Sequence, residues 1–135
     1  MFTITKQFAF EAAHRLIGLG HDHPCAQLHG HSYRVELVFE SRDLDRRGFA
    51  WLDYRDLDAF KRHLDDTYDH AAILHANDPI LGPTPHGMKV VVLDCNPTAE
   101  NLAYRFWLDA HKLGFAPAAV RVSETVKTWA EYRES

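Results

Sequence analysis

The chain has 135 residues, of which 46% are hydrophobic, and this length predicts a single globular domain over residues 1–135. The formal net charge is −4 with the histidines neutral, and the 15 lysines and arginines are scattered along the sequence. They form no basic stripe for nucleic acid or for an anionic membrane surface, so we expect neither partner.

The sequence offers no sign of export. Residues 1–6 lack the charged and apolar regions of a signal peptide, and no apolar run approaches the roughly 18 residues that span a bilayer. We therefore expect a cytoplasmic protein. Because structural disulfides are rare in that reducing compartment, Cys25 and Cys95 are interpreted as free thiols, with Cys95 a buried apolar filler.

Two strands are predicted near the start of the chain. Residues 2–13 alternate between apolar and polar side chains, as a half-buried strand does, and residues 31–40 alternate more clearly still. The glycine-rich and proline-containing residues 16–27 between them predict a loop, which carries His21, His23 and Cys25. We expect an antiparallel pair with His14, His29 and His31 together at one end.

The remaining pattern predicts an α+β fold. In chain order it indicates a short strand over residues 48–53, then a helix capped by Asp53 and ending near residue 67, and then a long irregular loop over residues 71–87. A strand over 88–93 follows, and then a helix capped by Asn96 or Thr98 and stopped by Gly114. The chain continues with a strand over 119–125 and a final segment over 128–132 that adds a strand or lies over a neighbour.

Three histidines indicate a metal site. His29 and His31 are two residues apart, so on a strand their side chains leave from the same face, and Gly30 between them allows a close approach. His14 likewise ends the apolar face of the first strand. Three nitrogen ligands with an open fourth position are typical of catalytic zinc, whereas structural zinc sites are usually closed. The alternative is a set of hydrogen-bonded core histidines.

Glu124 is out of place in an apolar pattern. It shares its side of the predicted strand with Val120 and Val122, so a carboxylate ends an otherwise buried face. Burying a charge without a partner is costly. We therefore expect a partner for Glu124.

Several motifs together resemble the 6-pyruvoyl-tetrahydropterin synthase family, and more closely its bacterial 6-carboxytetrahydropterin synthase branch. They are Phe-Glu-Ala-Ala-His at residues 10–14, Cys-x-x-x-His-Gly-His at 25–31, the turn at 48–53, Asp-His at 69–70, Pro-Thr-Ala-Glu-Asn at 97–101 and Ser-Glu-Thr at 123–125. The resemblance runs nearly from end to end. The three-residue gap between Cys25 and His29 favours the bacterial branch.

This resemblance implies a T-fold, in which a four-stranded antiparallel sheet carries two helices on one face. It also implies a homo-oligomer, usually a hexamer, in which sheets from several subunits join into a barrel and active sites lie between subunits. Such an assembly fits the sequence, because a lone four-stranded sheet leaves open edges.

The resemblance also implies roles for particular residues. His14, His29 and His31 would bind Zn²⁺, Cys25 would be the general base, and Asp69 with His70 would form an acid and base pair that meets Cys25 from a neighbouring subunit. Glu124 would bind the 2-amino group and ring N–H of a pterin, with Thr98 and Glu100 near it. The alternatives are a buried loop cysteine, a histidine against a helix dipole, and plain helix capping by Thr98 and Glu100.

The implied activity is a zinc-dependent lyase. It would convert 7,8-dihydroneopterin triphosphate to 6-carboxy-5,6,7,8-tetrahydropterin, releasing acetaldehyde and triphosphate, on the route to 7-deazaguanine compounds such as queuosine. Alternatives are a 6-pyruvoyl-forming synthase or a paralogue acting on another pterin, a non-catalytic pterin- or purine-binding module, and a zinc hydrolase. Binding alone needs neither Cys25 nor Asp69 and His70, and a hydrolase has no use for Glu124.

Overall fold

A computed structural model of the chain describes residues 1–50, 52–82 and 87–135. These residues contain strands and α-helices in the following order: β1 (Phe2–His14), β2 (His29–Ser41), α1 (Asp58–Thr67), β3 (Ala71–His75), β4 (Val90–Leu93), α2 (Ala99–Lys112), β5 (Ala119–Thr125) and β6 (Thr128–Arg133). Among the described residues, no helix is long and apolar enough to span a membrane.

The strands form one mixed sheet in the order β4-β3-β1-β2-β5-β6. β1 and β2 pair antiparallel along their whole length, from Phe2 opposite Ser41 to His14 opposite His29, which confirms the predicted pair. β5 and β6 continue the sheet antiparallel beyond β2. On the other side, β3 runs parallel to both β1 and β4.

The prediction of a four-stranded antiparallel sheet is therefore wrong, because the described sheet has six strands and two parallel pairings. The predicted segment over 128–132 forms one of the two additional strands, β6. The predicted loop over 71–87 contains the other unexpected strand, β3, whose first four residues are all buried. A strand buried on both faces is apolar throughout and shows no alternation, so it gives no period-two signal.

Two other boundaries differ from expectation. The predicted loop also holds a short 3₁₀ helix, Pro79–Leu81, capped by Asp78, and its residues 83–86 lie outside the described residues. The predicted strand over 48–53 forms no ladder in its described part, which leaves out residue 51. Instead, Asp45 accepts hydrogen bonds from the N–H groups of Arg47 and Phe49 and closes a turn.

Both predicted helices are present with their caps. Asp53 and Asp56 cap a 3₁₀ turn, Tyr54–Leu57, that leads into α1. Thr98, rather than Asn96, caps α2, with its Oγ1 accepting from Asn101 N at 3.1 Å. Each cap satisfies N–H groups that the helix itself leaves without a partner.

The two helices cover one face of the sheet, as predicted. Phe10 of β1 stacks on Tyr33 of β2 with ring centroids 4.9 Å apart, and Phe106 of α2 packs edge-on against Phe10 at 5.7 Å. The opposite face of the same strands carries exposed residues such as Gln7 and Arg34. This division follows from the alternation in sequence, because successive strand residues face opposite sides.

A buried carboxylate ties the two helices together. Asp109 of α2 accepts hydrogen bonds from Tyr68 Oη at 2.8 Å and from His63 Nε2 of α1 at 2.9 Å. Burial alone would raise the pKa of Asp109, but the hydrogen bonds from His63 and Tyr68 outweigh it, so the pKa lies below its usual range. Asp109 is therefore ionised and paired at neutral pH.

We predict that Asp109→Ala lowers the free energy of unfolding by about 3 kcal/mol at pH 7, because it leaves buried donors without an acceptor. Urea denaturation at fixed protein concentration measures this. The matched control is Asp66→Ala, since Asp66 is exposed on α1 and its side chain has no hydrogen-bonded partner among the described residues. Equal midpoints for the two variants would contradict the prediction.

Candidate functional site

The β1–β2 ladder brings three imidazoles to one end of the sheet. His14, the last residue of β1, lies opposite His29, the first residue of β2, and His31 lies opposite Ala12. The Nε2 atoms of His14 and His29 are 3.0 Å apart, and the three residues offer ligand atoms that all lie within 4.8 Å of one another. The three side chains therefore surround one point.

Hydrogen bonds fix two of these rings. His14 Nδ1 lies 2.7 Å from the carbonyl oxygen of Pro97, and His29 Nδ1 lies 2.7 Å from that of Gln27. A carbonyl oxygen can only accept, so each Nδ1 carries a proton, and Nε2 of the neutral ring then presents a lone pair. Metal-binding histidines are oriented in this way by their second nitrogen.

The protonation of the cluster also suits a metal. His14 is only 1% exposed, and this burial lowers its pKa to about 4, so the ring is neutral at pH 7. Burial lowers the pKa of His31 as well. Two lone pairs facing each other at 3.0 Å repel unless a cation lies between them. The cluster thus fits a bound metal ion, and its three nitrogens leave coordination positions open.

His31 also meets the carboxylate that the sequence left without a partner. Its Nε2 is buried, has no hydrogen bond, and lies 3.5 Å from Glu124 Oε2 at the end of β5. Because β5 pairs with β2, the core-facing row that ends in Glu124 runs beside the row that begins with His29 and His31. The expected partner of Glu124 is therefore the histidine cluster.

A cavity of about 590 Å³ brings together the residues expected near a pterin. Thr98 and Glu100, at the start of α2, line it with Glu124 and with Glu131 of β6. Glu131 is paired with Arg121 at 2.6 Å, but neither Glu100 nor Glu124 has an arginine or lysine partner among the described residues. Two carboxylates thus remain free to accept hydrogen bonds from a ligand.

Asp69 and His70 form a pair beside a second cavity of about 580 Å³, which His70 and His31 both line. Asp69 Oδ2 lies 2.8 Å from His70 Nδ1. The backbone N–H of Glu11 donates to Asp69 Oδ1 at 2.8 Å, and this bond is the main reason that the pKa of Asp69 lies below its usual range. The carboxylate is therefore held ionised beside the imidazole.

The backbone at this pair is unusual. His70 has φ of 60°, which makes it the one non-glycine residue in the left-handed region among those described. Such a conformation costs free energy and concentrates at functional sites. It turns the chain from α1 into β3 and leaves the His70 side chain 78% exposed. The imidazole therefore points away from the packed core.

The structure does not bring all the predicted residues into one cavity. The cavity with Glu124 and the cavity with His70 share no described lining residue, and Cys25 lines neither. Cys25 sits half-buried in a short 3₁₀ helix, Pro24–Ala26, where the sequence predicted a loop. Its carbonyl accepts from Leu16 N at 2.8 Å, which holds this turn near the end of β1.

Three contributions went unrecognised in the sequence. Lys89 Nζ donates to the carbonyl oxygens of Asp65 and Asp69, at 3.0 and 2.7 Å, and so holds the end of α1. Asn96 pairs with both main-chain groups of Ile17, at 2.9 and 2.8 Å, and fastens the loop after β1 to α2. Trp129 lines the cavity with Glu124. The sequence contains one signal for Trp129, namely a tryptophan among the polar residues of the final strand.

Comparison with known proteins places this chain in a class of enzymes, the tetrahydropterin synthases. Residues 3–135 match the family described as 6-pyruvoyl tetrahydropterin synthase. A relative from Rickettsia felis is 36% identical over 107 residues, which cover 76% of this chain and 75% of the relative. A relative from Haemophilus influenzae is 31% identical over an alignment that covers 99% of this chain and 100% of the relative. Both are named 6-carboxy-5,6,7,8-tetrahydropterin synthase.

Solved structures agree with this placement. An uncharacterized protein from Wolinella succinogenes is 26% identical with a TM-score of 0.78, covering 99% of this chain and 98% of its own. The 6-pyruvoyl tetrahydropterin synthase of Caenorhabditis elegans is 23% identical, with a TM-score of 0.69. The alignment covers 99% of this chain and 96% of that protein, so the two share the fold. The chain belongs to the 6-pyruvoyl tetrahydropterin synthase family. The resemblance in sequence and the prediction of an enzyme of this type are confirmed.

We predict that His29→Ala weakens metal binding by more than about 100-fold, because even a residue that only orients a ligand contributes 10- to 100-fold. Metal content after dialysis against a competing chelator, read by mass spectrometry, measures this. His21→Ala is the matched control, since His21 is exposed in the loop and lies outside the cluster. A His29→Ala protein that keeps its metal as tightly as the control would argue against the cluster as the binding site.

Proposed function

We propose that residues 1–135 act as one T-fold domain, a zinc-dependent lyase that converts 7,8-dihydroneopterin triphosphate to 6-carboxy-5,6,7,8-tetrahydropterin. Acetaldehyde and triphosphate are released, and the product serves the synthesis of 7-deazaguanine compounds such as queuosine. The names of relatives from Rickettsia felis and Haemophilus influenzae support this activity. The observation that carries the proposal is Glu124 beside His31, that is, a carboxylate with no arginine or lysine partner among the described residues next to a cluster of three histidines that could hold a metal ion.

The histidine cluster favours zinc because its ligands are neutral nitrogens and its coordination stays open. When bound, the ion acts as a Lewis acid on the hydroxyls of the substrate side chain. The chain itself contributes the orientation of the rings, through the carbonyl groups of Pro97 and Gln27.

Glu124 is proposed to bind the edge of the pterin ring. A carboxylate has two acceptor oxygens, and the pterin edge presents two donors, its 2-amino group and its ring N–H. Glu131 is unsuited to this role because Arg121 already engages it. Thr98 accepts a hydrogen bond at its cap, so its O–H remains to donate, and Glu100 offers a second acceptor at the same helix start.

Cys25 is proposed as the general base, and Asp69 with His70 as the acid and base pair. Asp69 holds Nδ1 of His70, which leaves Nε2 to exchange a proton with substrate. His70 is exposed and lines a different cavity from Glu124. We therefore propose that one active site combines residues of two subunits in a cytoplasmic homo-oligomer, a hexamer by resemblance to the family.

The direct test is product analysis. Purified protein loaded with zinc is incubated with 7,8-dihydroneopterin triphosphate, and the pterin product and acetaldehyde are identified by mass. Recovery of 6-carboxy-5,6,7,8-tetrahydropterin is expected. A 6-pyruvoyl product would instead assign the reaction that the family description names. Unchanged substrate from zinc-loaded protein would rule out the lyase.

We predict that Cys25→Ala lowers kcat at least about 100-fold while zinc content and pterin affinity stay unchanged, because it removes only the proton acceptor. Cys95→Ala is the matched control. Burial raises the pKa of Cys95, so that thiol stays protonated, and it packs against the core. Normal turnover by Cys25→Ala would assign the base to another residue.

Mixing two inactive variants tests the shared site. If Cys25 and His70 of one active site come from different chains, a 1:1 mixture of Cys25→Ala and His70→Ala subunits, unfolded and refolded together, regains about a quarter of wild-type activity. Each variant refolded alone is the control. No activity in mixtures that mass measurement shows to be hetero-oligomeric would place both residues in the same chain's site.

A further inference from the structure

Trp129 is exposed, although tryptophan side chains are usually buried or packed against another side chain. Its side chain is 64% exposed on β6, and it makes no aromatic contact with a described residue, whereas Tyr132 on the same strand packs against Tyr104 and Trp107 of α2. Trp129 is also the one aromatic side chain among the described residues that line the cavity of Glu124. An exposed indole beside free carboxylates indicates a ligand with both a flat face and a polar edge.

A β-bulge places Trp129 opposite Glu124 in the β5–β6 pairing. Val122 pairs with Ala130, and Thr125 pairs with Thr128, with the register shifting between them. Ser123 and Glu124 on β5 therefore lie opposite the single residue Trp129 on β6. In a regular ladder, Trp129 would face Ser123 and point to the opposite side of the sheet from Glu124. The bulge interrupts this alternation, as bulges near active sites do, and Trp129 and Glu124 both line the cavity.

The strand that carries Trp129 is held firmly beyond the bulge. Glu131, two residues along β6, accepts from Arg121 Nε of β5 at 2.6 Å, and Arg133 donates to Glu40 of β2 at 3.0 Å. These contacts cross three neighbouring strands. They fix the backbone of β6 while leaving the indole itself without a described partner, which is the state expected of a preformed binding surface.

We propose that Trp129 stacks on the face of the pterin ring while Glu124 holds its edge, and that the bulge at residues 123 and 124 aims both side chains. The inference rests on the proposed function, because it takes the ligand of this cavity to be a pterin. The polar groups of Thr98, Glu100 and Glu124 can address only the edge of such a ring. Its face needs an aromatic surface, which Trp129 supplies.

The test compares two ligands that present the same hydrogen-bonding edge but differ in the size of their ring system. Neopterin is a pterin, whereas isocytosine presents the same 2-amino and ring N–H donors on a single smaller ring. Dissociation constants are measured by calorimetry for the wild type and for Trp129→Ala, Trp129→Phe and Glu124→Gln. Because stacking on one aromatic side chain contributes about 1–3 kcal/mol, Trp129→Ala should weaken neopterin binding about 5- to 150-fold.

The pattern across variants separates stacking from a structural role. Trp129→Ala should weaken isocytosine binding much less than neopterin binding, Trp129→Phe should recover most of the neopterin affinity, and Glu124→Gln should weaken both ligands alike. Neopterin should quench tryptophan fluorescence in the wild type and far less in Trp129→Phe. Val126→Ala is the control, since Val126 is 75% exposed on the adjacent turn and does not line the cavity.

Each contrary result has a distinct meaning. Neopterin binding by Trp129→Ala at wild-type strength overturns the stacking proposal and leaves the proposed function standing. Equal losses for both ligands, or a fall in assembly mass with Trp129→Ala, assign the indole to structure or to a subunit interface and also overturn it. Failure of the wild type to bind neopterin, with zinc present, overturns both proposals.

Discussion

The pairing of His14 with His29 at the end of the β1–β2 ladder positions the histidine cluster on which the candidate site depends. Phe8, Phe10 and Ala12 precede His14 on the same side of β1, and they are core residues. The packing that buries these side chains therefore also fixes where the imidazole points. A slip of one residue would turn the apolar row and the histidine to the solvent together. The position of the histidine cluster is therefore set by the packing of the hydrophobic core.

The contrast between two acidic groups separates structure from function. Asp109 is buried and its oxygens are engaged by His63, Tyr68 and Arg105, so it behaves as a fixed part of the packing between helices. Glu124 instead faces a histidine nitrogen that has no hydrogen bond of its own. Proteins satisfy most buried polar groups, and the exceptions concentrate where a ligand completes them. The incomplete pairing around His31 and Glu124 is what marks this end of the sheet as a site.

The edges of the sheet are also incompletely covered. The sheet ends at β4 and β6, and both present exposed apolar side chains, such as Val92 and Trp129. Open edges of this kind need cover or a function. In the proposed oligomer, neighbouring subunits cover one part of this surface and complete the site with Asp69 and His70. The proposed stacking gives Trp129 a separate use, because it assigns the indole to the ligand.

Local sequence patterns determined much of the fold and of the candidate site. The alternation of residues 2–13 and 31–40 predicted the β1–β2 pair, Asp53 and Thr98 predicted helix starts, and parity along two strands placed His14, His29 and His31 together. Such patterns are local, since they depend only on the period of a strand or helix and on the groups left free at a helix end.

Tertiary structure alone decided the rest. β3 is buried on both faces and has no alternation, so only its partners reveal it as a strand. The bulge that brings Trp129 beside Glu124 depends on how β5 and β6 pair, and no pattern within either strand encodes that register. Lys89 reaches carbonyl groups 20 and 24 residues away in sequence. Periodicity shows which face of a strand is buried, whereas the choice of neighbour and register is made by packing between distant segments.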